Sequence, residues 1–307
     1  MLIFFDLHLL RKISIIGLLL RIRIAMMSFE VRPLSPVIGA EVVGLDLGGP
    51  VDDATFAALR AAWFEAGGLL VFKEQSLAPQ AQVEFSRRFG DLEVHVAKRY
   101  LLPGHPEIYR VSTKKDAQGK AVGNPESGRY WHSDLSYLEP PAMASLLYAL
   151  EVPPMGGDTL FANMAAAYDA LSPPIRTMLS SMTAVHDYAH VLRLFSHGVR
   201  AHVGPGTLPS VRHPVVRPHQ ETGRATLYVN PGFTTHIEGL ARHESDAVLN
   251  MLFEHAVRPE FVYRHRWSVG DAVLWDNRST MHHAVHDFYG TGGVRHMHRT
   301  TIMGTAQ

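Results

Sequence analysis

The amino-acid sequence predicts an α+β fold whose core is a double-stranded β-helix, or jelly roll, with helices packed on one sheet. The first observation is a series of short strand patterns after residue 105, separated by turn residues. The second is a set of amphipathic helix patterns around these strands. The third is the absence of low-complexity tracts, repeats and long charge runs from residue 28 onward, so we expect one domain spanning 28–307.

Residues 1–27 differ in character from the rest of the chain. Their apolar stretches are broken by four basic residues, and the uninterrupted run 13–20 is far shorter than the roughly 20 residues of a membrane-spanning helix. Basic residues follow the apolar region, and no small-residue cleavage site precedes Met26, which argues against a signal peptide. We expect an N-terminal extension that is not part of the fold.

The first elements of the domain are predicted as strands at 30–33, 39–43 and 69–72 and helices at 53–66 and 79–89. Asp52 or Asp53 is a suitable N-cap for the first helix, which Gly67 and Gly68 end. Pro79 suits the first turn of the second helix.

The strand-rich part of the chain begins near residue 105. We predict strands at 107–112, 129–137, 144–150, 215–217, 225–229, 271–275 and 294–302, and helices at 163–171, 174–182 and 243–256. The segment 190–209 is rich in Gly, His and Arg and has little periodicity. Long excursions of this kind often cover functional sites, so we expect part of a closing element there.

Composition narrows the classes of function. Lys plus Arg and Asp plus Glu are equal at 29 each, so no basic surface points to nucleic acid or to an anionic membrane. Cysteine is absent, which excludes disulfides, thiolate metal sites and cysteine nucleophiles and suits a cytoplasmic location. The 19 histidines make imidazole ligands available.

A candidate metal motif lies in Trp131-His132-Ser133-Asp134. If 129–137 is a strand, His132 and Asp134 project from the same face. One imidazole and one carboxylate are two of the three ligands of a 2-His-1-carboxylate iron site, which leaves coordination positions open. The pair alone is a weak signal, because a histidine two residues before an aspartate is common by chance.

A third ligand is available about 150 residues further on, after Trp275-Asp276-Asn277-Arg278. The candidates are His282, His283 and His286. His282 and His286 share a face if the chain is extended, whereas His283 faces away. Chemistry alone leaves this choice open.

Two arginines near the C-terminus share a strand face. Alternation in the predicted strand places Arg295, Met297 and Arg299 on one side. Guanidinium groups that point into an interior require anions, and arginine is suited to bidentate carboxylate binding. Either anionic ligands or salt bridges to Asp and Glu would satisfy them.

Ordered short motifs make the sequence similar to the taurine dioxygenase (TauD/TfdA) family of Fe(II)/2-oxoglutarate-dependent dioxygenases, over residues 27–305. The motifs are W-H-S-D (131–134), P-x-G-G-D-T-L-F (154–161), A-A-Y-D-A-L-S (166–172), H-P-V-V-R (213–217), E-T-G-R (221–224), L-Y-V-N (227–230), W-D-N-R (275–278) and M-H-R-T (297–300). Each is short, but the set in this order is highly specific.

The resemblance implies which residues bind the metal ion and the co-substrate. Fe(II) would be bound by His132, Asp134 and His282. Arg295, thirteen residues after His282, would pair with the C5 carboxylate of 2-oxoglutarate, and Thr159 would add a hydroxyl hydrogen bond to it.

The resemblance also implies how the anionic group of the prime substrate is bound, through Arg299 and His95. Two departures argue against taurine as the substrate. Lys98 stands where taurine dioxygenases carry a tyrosine, and Gly128 stands where they carry an asparagine. Lys98 would either meet a second acidic group on the substrate or point to solvent.

We therefore expect an enzyme that uses Fe(II), 2-oxoglutarate and O2 to oxidise, as a hydroxylase, a C–H bond of a small anion, with release of succinate and CO2. A sulfonate, a sulfate ester, an aryloxyalkanoate or another carboxylic acid would fit. Alternatives are desaturation or cyclisation at the same iron, a zinc or nickel cupin without 2-oxoglutarate, and a non-enzymatic member. A homo-dimer or tetramer is expected by analogy with the family, and neither nucleic acid nor a membrane is expected as a partner.

Overall fold

The computed structural model describes residues 29–195 and 209–305. The predicted extension 1–27 lies outside the described residues, as does most of the excursion predicted at 190–209. None of the described helices has the length and apolar character that crossing a membrane requires.

Sixteen strands and six α-helices make up the described part of the chain. The strands are β1 (Glu30–Pro33), β2 (Ala40–Val43), β3 (Leu69–Phe72), β4 (Leu101–Leu102), β5 (His105–Ser112), β6 (Ala142–Glu151), β7 (Thr159–Asn163), β8 (Thr183–Asp187), β9 (Ser210–Pro214), β10 (Val216–Pro218), β11 (Ala225–Leu227), β12 (Thr234–Ile237), β13 (Val262–His265), β14 (Ala272–Asp276), β15 (Thr280–Ala284) and β16 (His296–Met303). The helices are α1 (Asp53–Glu65), α2 (Pro79–Arg87), α3 (Met164–Asp169), α4 (Pro173–Leu179), α5 (Tyr188–Phe195) and α6 (Arg242–Ala256). Short 3₁₀ turns lie at Lys98–Tyr100 and Pro259–Phe261.

The strands form several sheets in a mixed α/β fold. The largest sheet has eight strands in the order β1-β2-β3-β14-β6-β16-β5-β4, and two three-stranded sheets have the orders β13-β7-β15 and β12-β8-β9. Strands β10 and β11 pair separately. All pairs in the large sheet are antiparallel except β2 with β3.

Side-chain alternation assigns the two faces of the large sheet to different cores. Leu70 and Phe72 of β3 pack in the cluster that contains Trp63 of α1 and Phe85 of α2. The other face of the large sheet contributes to a second cluster, in which Phe161 of β7 is buried. Since Met297 belongs to this second cluster, the strand face that carries the two predicted arginines points toward β7.

Most predicted elements are confirmed, with shifts of one to a few residues at their ends. Helix α1 is capped by Asp52, whose carboxylate accepts a hydrogen bond from the Thr55 amide at 2.8 Å. Helix α2 begins at Pro79. These ends were predictable because each depends on a local residue preference.

The prediction of a strand at 129–137 is wrong. His132 forms only an isolated bridge with His282, and the chain then turns, with Leu135 in the left-handed region at φ 52°. Hydrogen bonds from Ser133 Oγ to the Thr280 carbonyl and from the Asp134 amide to Asn277 Oδ1 stabilise this turn. These partners are more than 140 residues away, so local periodicity did not reveal them.

Several elements of the fold were not predicted. They are β4, β7, β8, β9, β12, β13, β15 and α5. Strands β7 and β15 pair with each other, and they carry Thr159 and His282.

Candidate active site

Three potential metal ligands meet where the turn after His132 approaches β15. Ligand atoms of His132, Asp134 and His282 all lie within 4.8 Å of one another, and the three residues are buried. Two main-chain hydrogen bonds between His132 and His282, of 3.0 and 2.8 Å, fix the two histidines side by side. Within the described ranges, this is the group of three or more His, Asp or Glu residues that suits a metal ion.

The hydrogen bonds of the imidazoles decide which nitrogens face the carboxylate. His132 Nδ1 lies 2.8 Å from the Tyr130 carbonyl, so Nδ1 carries the proton and Nε2 keeps its lone pair. Nε2 of His132 and Nε2 of His282 lie 3.6 and 3.9 Å from the carboxylate of Asp134. Burial, together with the neighbouring His132, holds the pKa of His282 well below its ordinary value, so this ring is neutral.

The Asp134 carboxylate is ionised and hydrogen-bonded on both oxygens. Ser145 Oγ donates to Oδ2 at 2.7 Å, and the Arg299 guanidinium donates to Oδ1 at 2.6 Å. Burial by itself raises the pKa of Asp134, but the positive charge of Arg299 outweighs it and helps to bring the pKa well below the ordinary value. Two imidazoles and one carboxylate are thus available together.

The other candidate histidines are engaged elsewhere. His283 is half-buried with its ring centroid 5.6 Å from that of Trp131. His286 Nδ1 and Nε2 lie 3.0 and 3.2 Å from the carbonyl oxygens of Ala284 and Pro125. Of the three alternatives that the sequence left open, the structure brings His282 to His132 and Asp134.

Arg295 lies at one end of the site and is buried without a carboxylate partner. Its Nε donates to the Gly157 carbonyl at 3.1 Å and its Nη2 to Thr159 Oγ1 at 3.3 Å. None of the described carboxylates forms a salt bridge with it, and burial lowers its pKa to about 10, so the group stays cationic at neutral pH. Trp267 Nε1 also donates to Thr159 Oγ1, at 2.9 Å. The Thr159 hydroxyl accepts twice and keeps its own proton for a further acceptor.

Arg299 lies at the opposite end, bonded to Asp134 and above the ring of Tyr109, with its guanidinium carbon 5.3 Å from the ring centroid. His95 stacks on the same ring at 4.3 Å and accepts a hydrogen bond from the Ala97 amide through Nδ1. Burial, reinforced by Arg299, lowers the pKa of His95 to about 3. The neutral ring therefore carries its proton on Nε2 as a donor.

The remaining predicted residues differ in their exposure. Lys98 is exposed at the start of the 3₁₀ turn. Gly128 is buried, with φ 78°, and an added Cβ would meet His132 Cε1 and Ala284 Cβ at 3.4 Å. A side chain at 128 would therefore project beside His132, and the glycine leaves that space free.

Sequence reasoning missed several residues around the site. Trp267, Ser145 and Tyr109 contact the predicted residues through long-range packing, for which the sequence carries no local signal. Glu93 is half-buried, and burial raises its pKa to about 7 although Arg299 opposes the shift. This glutamate lies in the segment 89–94, and only the fold brings it near Arg299.

An aromatic cluster borders the metal ligands on the side of His132. It consists of Tyr130, Tyr137, Tyr188 and Phe233. The ring centroids of Tyr130 and Phe233 lie 5.0 and 6.1 Å from that of His132. Tyr130 and Tyr188 are half-buried, whereas Tyr137 and Phe233 are buried.

Comparison with protein families gives one match that covers most of the chain. Residues 30–301 match the model of the "Taurine catabolism dioxygenase TauD, TfdA family". The α-ketoglutarate-dependent 2,4-dichlorophenoxyacetate dioxygenase of Cupriavidus pinatubonensis is 35% identical over 91% of this chain and 99% of its own length. The α-ketoglutarate-dependent sulfate ester dioxygenase of Pseudomonas putida is 32% identical over 91% of this chain and 90% of its own.

Solved structures agree with these sequence matches. A taurine dioxygenase from Burkholderia xenovorans has a TM-score of 0.77 and 36% identity, and the alignment covers 90% of each chain. AAD-2, solved in complex with Mn(II) and N-oxalylglycine, has a TM-score of 0.72 and 30% identity over 90% of this chain and 98% of its own.

Proposed function

Because the chain belongs to the TauD, TfdA family and is a 2-oxoglutarate-dependent dioxygenase, we propose that His132, Asp134 and His282 bind Fe(II). The observation that carries this proposal is the convergence of their ligand atoms within 4.8 Å. Two neutral imidazoles and one carboxylate form the facial triad of non-haem Fe(II) oxygenases. The chemistry that bound Fe(II) supplies is the coupling of 2-oxoglutarate decarboxylation and O2 reduction to oxidation of a substrate C–H bond, with release of succinate and CO2.

Arg295 and Thr159 bind the C5 carboxylate of 2-oxoglutarate in this proposal. A buried guanidinium without a carboxylate partner among the described residues lacks the anion that would balance it, and the Thr159 hydroxyl has a proton to donate. AAD-2 was solved with N-oxalylglycine, a dicarboxylate of the same chain length as 2-oxoglutarate. That similarity supports a dicarboxylate at the corresponding site here.

Arg299 and His95 bind the anionic group of the prime substrate. Arg299 donates one hydrogen bond to Asp134 and keeps a buried Nε without a partner among the described residues. The neutral His95 ring, which packs on the Tyr109 ring that Arg299 also contacts, offers Nε2–H. Lys98, which is exposed, would reach only a second acidic group at the rim of the site.

The aromatic cluster favours a substrate with an aryl group, such as an aryloxyalkanoic acid. Tyr130, Tyr137, Tyr188 and Phe233 offer ring faces and edges beside His132, where a substrate ring would pack. Relatives named for 2,4-dichlorophenoxyacetate and (S)-phenoxypropionate are 35% and 36% identical to this chain. A sulfate ester is the second candidate, since the Pseudomonas putida relative is named for that class.

The protein's own part in the reaction is to orient the substrate and to exclude water. Arg299 and His95 hold the acid group, and the aromatic cluster holds the ring, so the carbon between these two groups is presented to the metal ligands. Arg295 and Thr159 fix the co-substrate from the opposite end. Hydroxylation is the proposed outcome, and desaturation at the same iron is the alternative.

The proposal includes the architecture and the extent of the domain. We propose that the large sheet and the sheets containing β7, β15, β8 and β9 form a double-stranded β-helix, within one domain at 28–307. Two contacts support this arrangement: Phe161 of β7 is buried in a core cluster with large-sheet residues, and the His282 ring of β15 lies 4.6 Å from that of Trp275 in β14. The site would then lie between the facing sheets.

A succinate-release assay tests the function. The full-length protein is loaded anaerobically with Fe(II), and succinate is measured with phenoxyacetate, an alkyl sulfate, an alkylsulfonate and taurine. We expect Fe(II)-dependent and 2-oxoglutarate-dependent succinate release with phenoxyacetate, accompanied by oxidation of that acid, and the weakest response with taurine.

Product masses separate the alternatives, because hydroxylation adds an oxygen atom and desaturation removes two hydrogens. Turnover with Zn²⁺ or Ni²⁺ in the absence of 2-oxoglutarate would identify a cupin-type enzyme instead. Succinate release that no acid in the panel stimulates would overturn the substrate proposal.

A further inference from the structure

The turn that carries Asp134 is attached to a second group of buried polar residues, outside the metal site. We define the Ser136 cluster as Ser136, His186, His213 and Asn230. All four residues are at least 97% buried. His186 is in β8 and His213 is in β9, two paired strands of the sheet β12-β8-β9.

Three hydrogen bonds converge on Ser136, two residues after Asp134. His186 Nδ1 lies 3.0 Å and Asn230 Nδ2 lies 3.1 Å from Ser136 Oγ. His213 Nε2 lies 2.9 Å from the Ser136 carbonyl oxygen. The side chain and the main chain of this one residue are thus held by three other segments of the protein.

The hydrogen bonds of the cluster can all be formed with neutral histidines, in the following arrangement. Asn230 Oδ1 accepts from the Phe233 amide at 2.9 Å, so the amide nitrogen of Asn230 must face Ser136 and donate. Ser136 then donates its hydroxyl proton to His186 Nδ1. The Ser136 carbonyl requires a proton on His213 Nε2. Every bond to Ser136 is therefore satisfied with both histidines neutral.

Burial keeps the histidines in that neutral state. It lowers the pKa of His213 to about 4 and, together with the nearby His213, brings the pKa of His186 well below its ordinary value. The arrangement therefore does not change across the neutral pH range.

The Asp134 turn depends on such side-chain contacts because it lacks a strand ladder. Only the bridge between His132 and His282 pairs this segment, and Leu135 adopts the left-handed conformation that non-glycine residues rarely adopt. Ser133 and the Asp134 amide are bonded on the β14–β15 side, and Ser136 is bonded on the β8–β9 side. Asp134 is therefore held between two sets of contacts.

We propose that His213 and His186 are positioning residues that act through Ser136 to hold the Asp134 carboxylate in place for the metal ion. This inference rests on the proposed metal site and extends it to residues that do not contact the ion. Loss of such supporting hydrogen bonds lowers metal affinity by about 10- to 100-fold in other proteins.

Metal titration of the full-length protein tests the proposal. His213→Leu removes the donor to Ser136, whereas His213→Gln retains an N–H at a similar reach. The matched control is His255→Leu, because His255 Nε2 also bonds a main-chain oxygen, that of Ala167 at 2.8 Å, but lies on α6, which carries none of the proposed ligands and none of the Ser136 cluster. The Kd for Mn²⁺ is measured by calorimetry, and the Tm of each metal-free variant is measured in parallel.

We expect His213→Leu to weaken Mn²⁺ binding by about 10- to 100-fold, with His213→Gln within a few-fold of the parent. His255→Leu should lower Tm without changing the Kd. Ser136→Ala provides the second variant in case His213→Leu does not fold, and it should also weaken Mn²⁺ binding while its metal-free Tm stays closer to that of the parent.

The results distinguish failure of the inference from failure of the metal site. If the parent protein binds no Mn²⁺, the proposed metal site is wrong. If the parent binds Mn²⁺, and His213→Leu or Ser136→Ala binds it as tightly, the cluster supports the fold alone and the inference is overturned.

Discussion

Two buried arginines, four residues apart in sequence, mark the two ends of the candidate site, and their charges are balanced differently. Arg299 donates to the carboxylate of Asp134 at 2.6 Å. Arg295 has only neutral acceptors, the Gly157 carbonyl and the Thr159 hydroxyl, and no described carboxylate forms a salt bridge with it. Both residues are about 95% buried, so the difference lies in the partners and not in the exposure.

The ion pair of Arg299 with Asp134 therefore contributes to the stability of the metal-free protein. The charge of Arg295 is balanced only when an anionic ligand binds. Breaking a buried ion pair destabilises a protein because one charge is left without compensation. A buried cation that never had a carboxylate partner already carries that cost, and an anionic ligand relieves it. The same substitution at the two positions should therefore have different effects on the unfolding free energy of the metal-free protein.

The largest expected effect is that of Arg299→Met. It leaves the buried Asp134 carboxylate with only Ser145 as a donor among its side-chain partners, and we expect the metal-free protein to lose about 3–5 kcal/mol of unfolding free energy. Saturating Mn²⁺ should recover much of this loss, because a cation again faces Asp134. Urea denaturation with and without Mn²⁺ measures both values. A loss that Mn²⁺ does not reduce would argue that Arg299 acts through packing.

Arg295→Met should affect ligand binding instead. We expect a loss of about 2–5 kcal/mol in the binding free energy of 2-oxoglutarate, because the C5 carboxylate loses its buried cationic partner. The unfolding free energy of the metal-free protein should stay the same or rise, since an unpaired buried charge is removed. Calorimetric titration of the Mn²⁺-loaded protein with 2-oxoglutarate, beside urea denaturation, checks both. Destabilisation equal to that of Arg299→Met would remove the distinction between the two arginines.

The arginine face itself was predictable from the sequence, whereas its partners were not. Strict alternation places Met297 and Arg299 of β16 on one side together with Arg295, which directly precedes the strand. The structure buries all three, with Met297 in the core shared with β7. The carboxylate next to Arg299 is 165 residues away in sequence. Local patterns carry no information about such pairings.

The turn at Asp134 shows a different limit of sequence reasoning. We predicted that His132 and Asp134 converge because they lie on one strand face, yet the segment is not a strand. They converge because bonds to Asn277, Thr280 and Ser145 hold the turn. In contrast, the N-cap at Asp52 was predicted correctly, since its partner is only three residues away.

Near Arg299, Glu93 should make the unfolding free energy of the protein depend on pH. Its pKa is raised from 4.5 to about 7 by burial, so the folded protein binds this proton more tightly than the unfolded chain. The stability that this adds is complete below pH 4.5 and is lost as the pH rises through about 7. Glu93→Gln should therefore gain unfolding free energy relative to the parent between these pH values, by at most about 3 kcal/mol. Urea denaturation at pH 5, 6, 7 and 8 measures the difference, and a pH-independent difference would contradict the shift.

The smallest expected effect belongs to the Arg295 end and concerns the hydroxyl of Thr159. Thr159→Val keeps the shape of the side chain but removes the acceptor for Trp267 Nε1, at 2.9 Å, and for Arg295 Nη2, at 3.3 Å. A buried donor without an acceptor costs about 1–3 kcal/mol, so the metal-free protein should lose stability in that range. The same change removes a donor to 2-oxoglutarate and should raise the KM for that co-substrate, while the KM for the prime substrate changes little because Arg299 and His95 lie at the other end.

Thr159→Ser is the matched control, because it keeps the hydroxyl and loses only a methyl group. We expect its KM for 2-oxoglutarate to stay near the parent value, as measured by succinate release at varied 2-oxoglutarate. Equal KM values for the valine and serine variants would show that the hydroxyl takes no part in co-substrate binding. In that case Arg295 alone would provide the specificity of this end, and Thr159 would serve only to hold Arg295 and Trp267 in place.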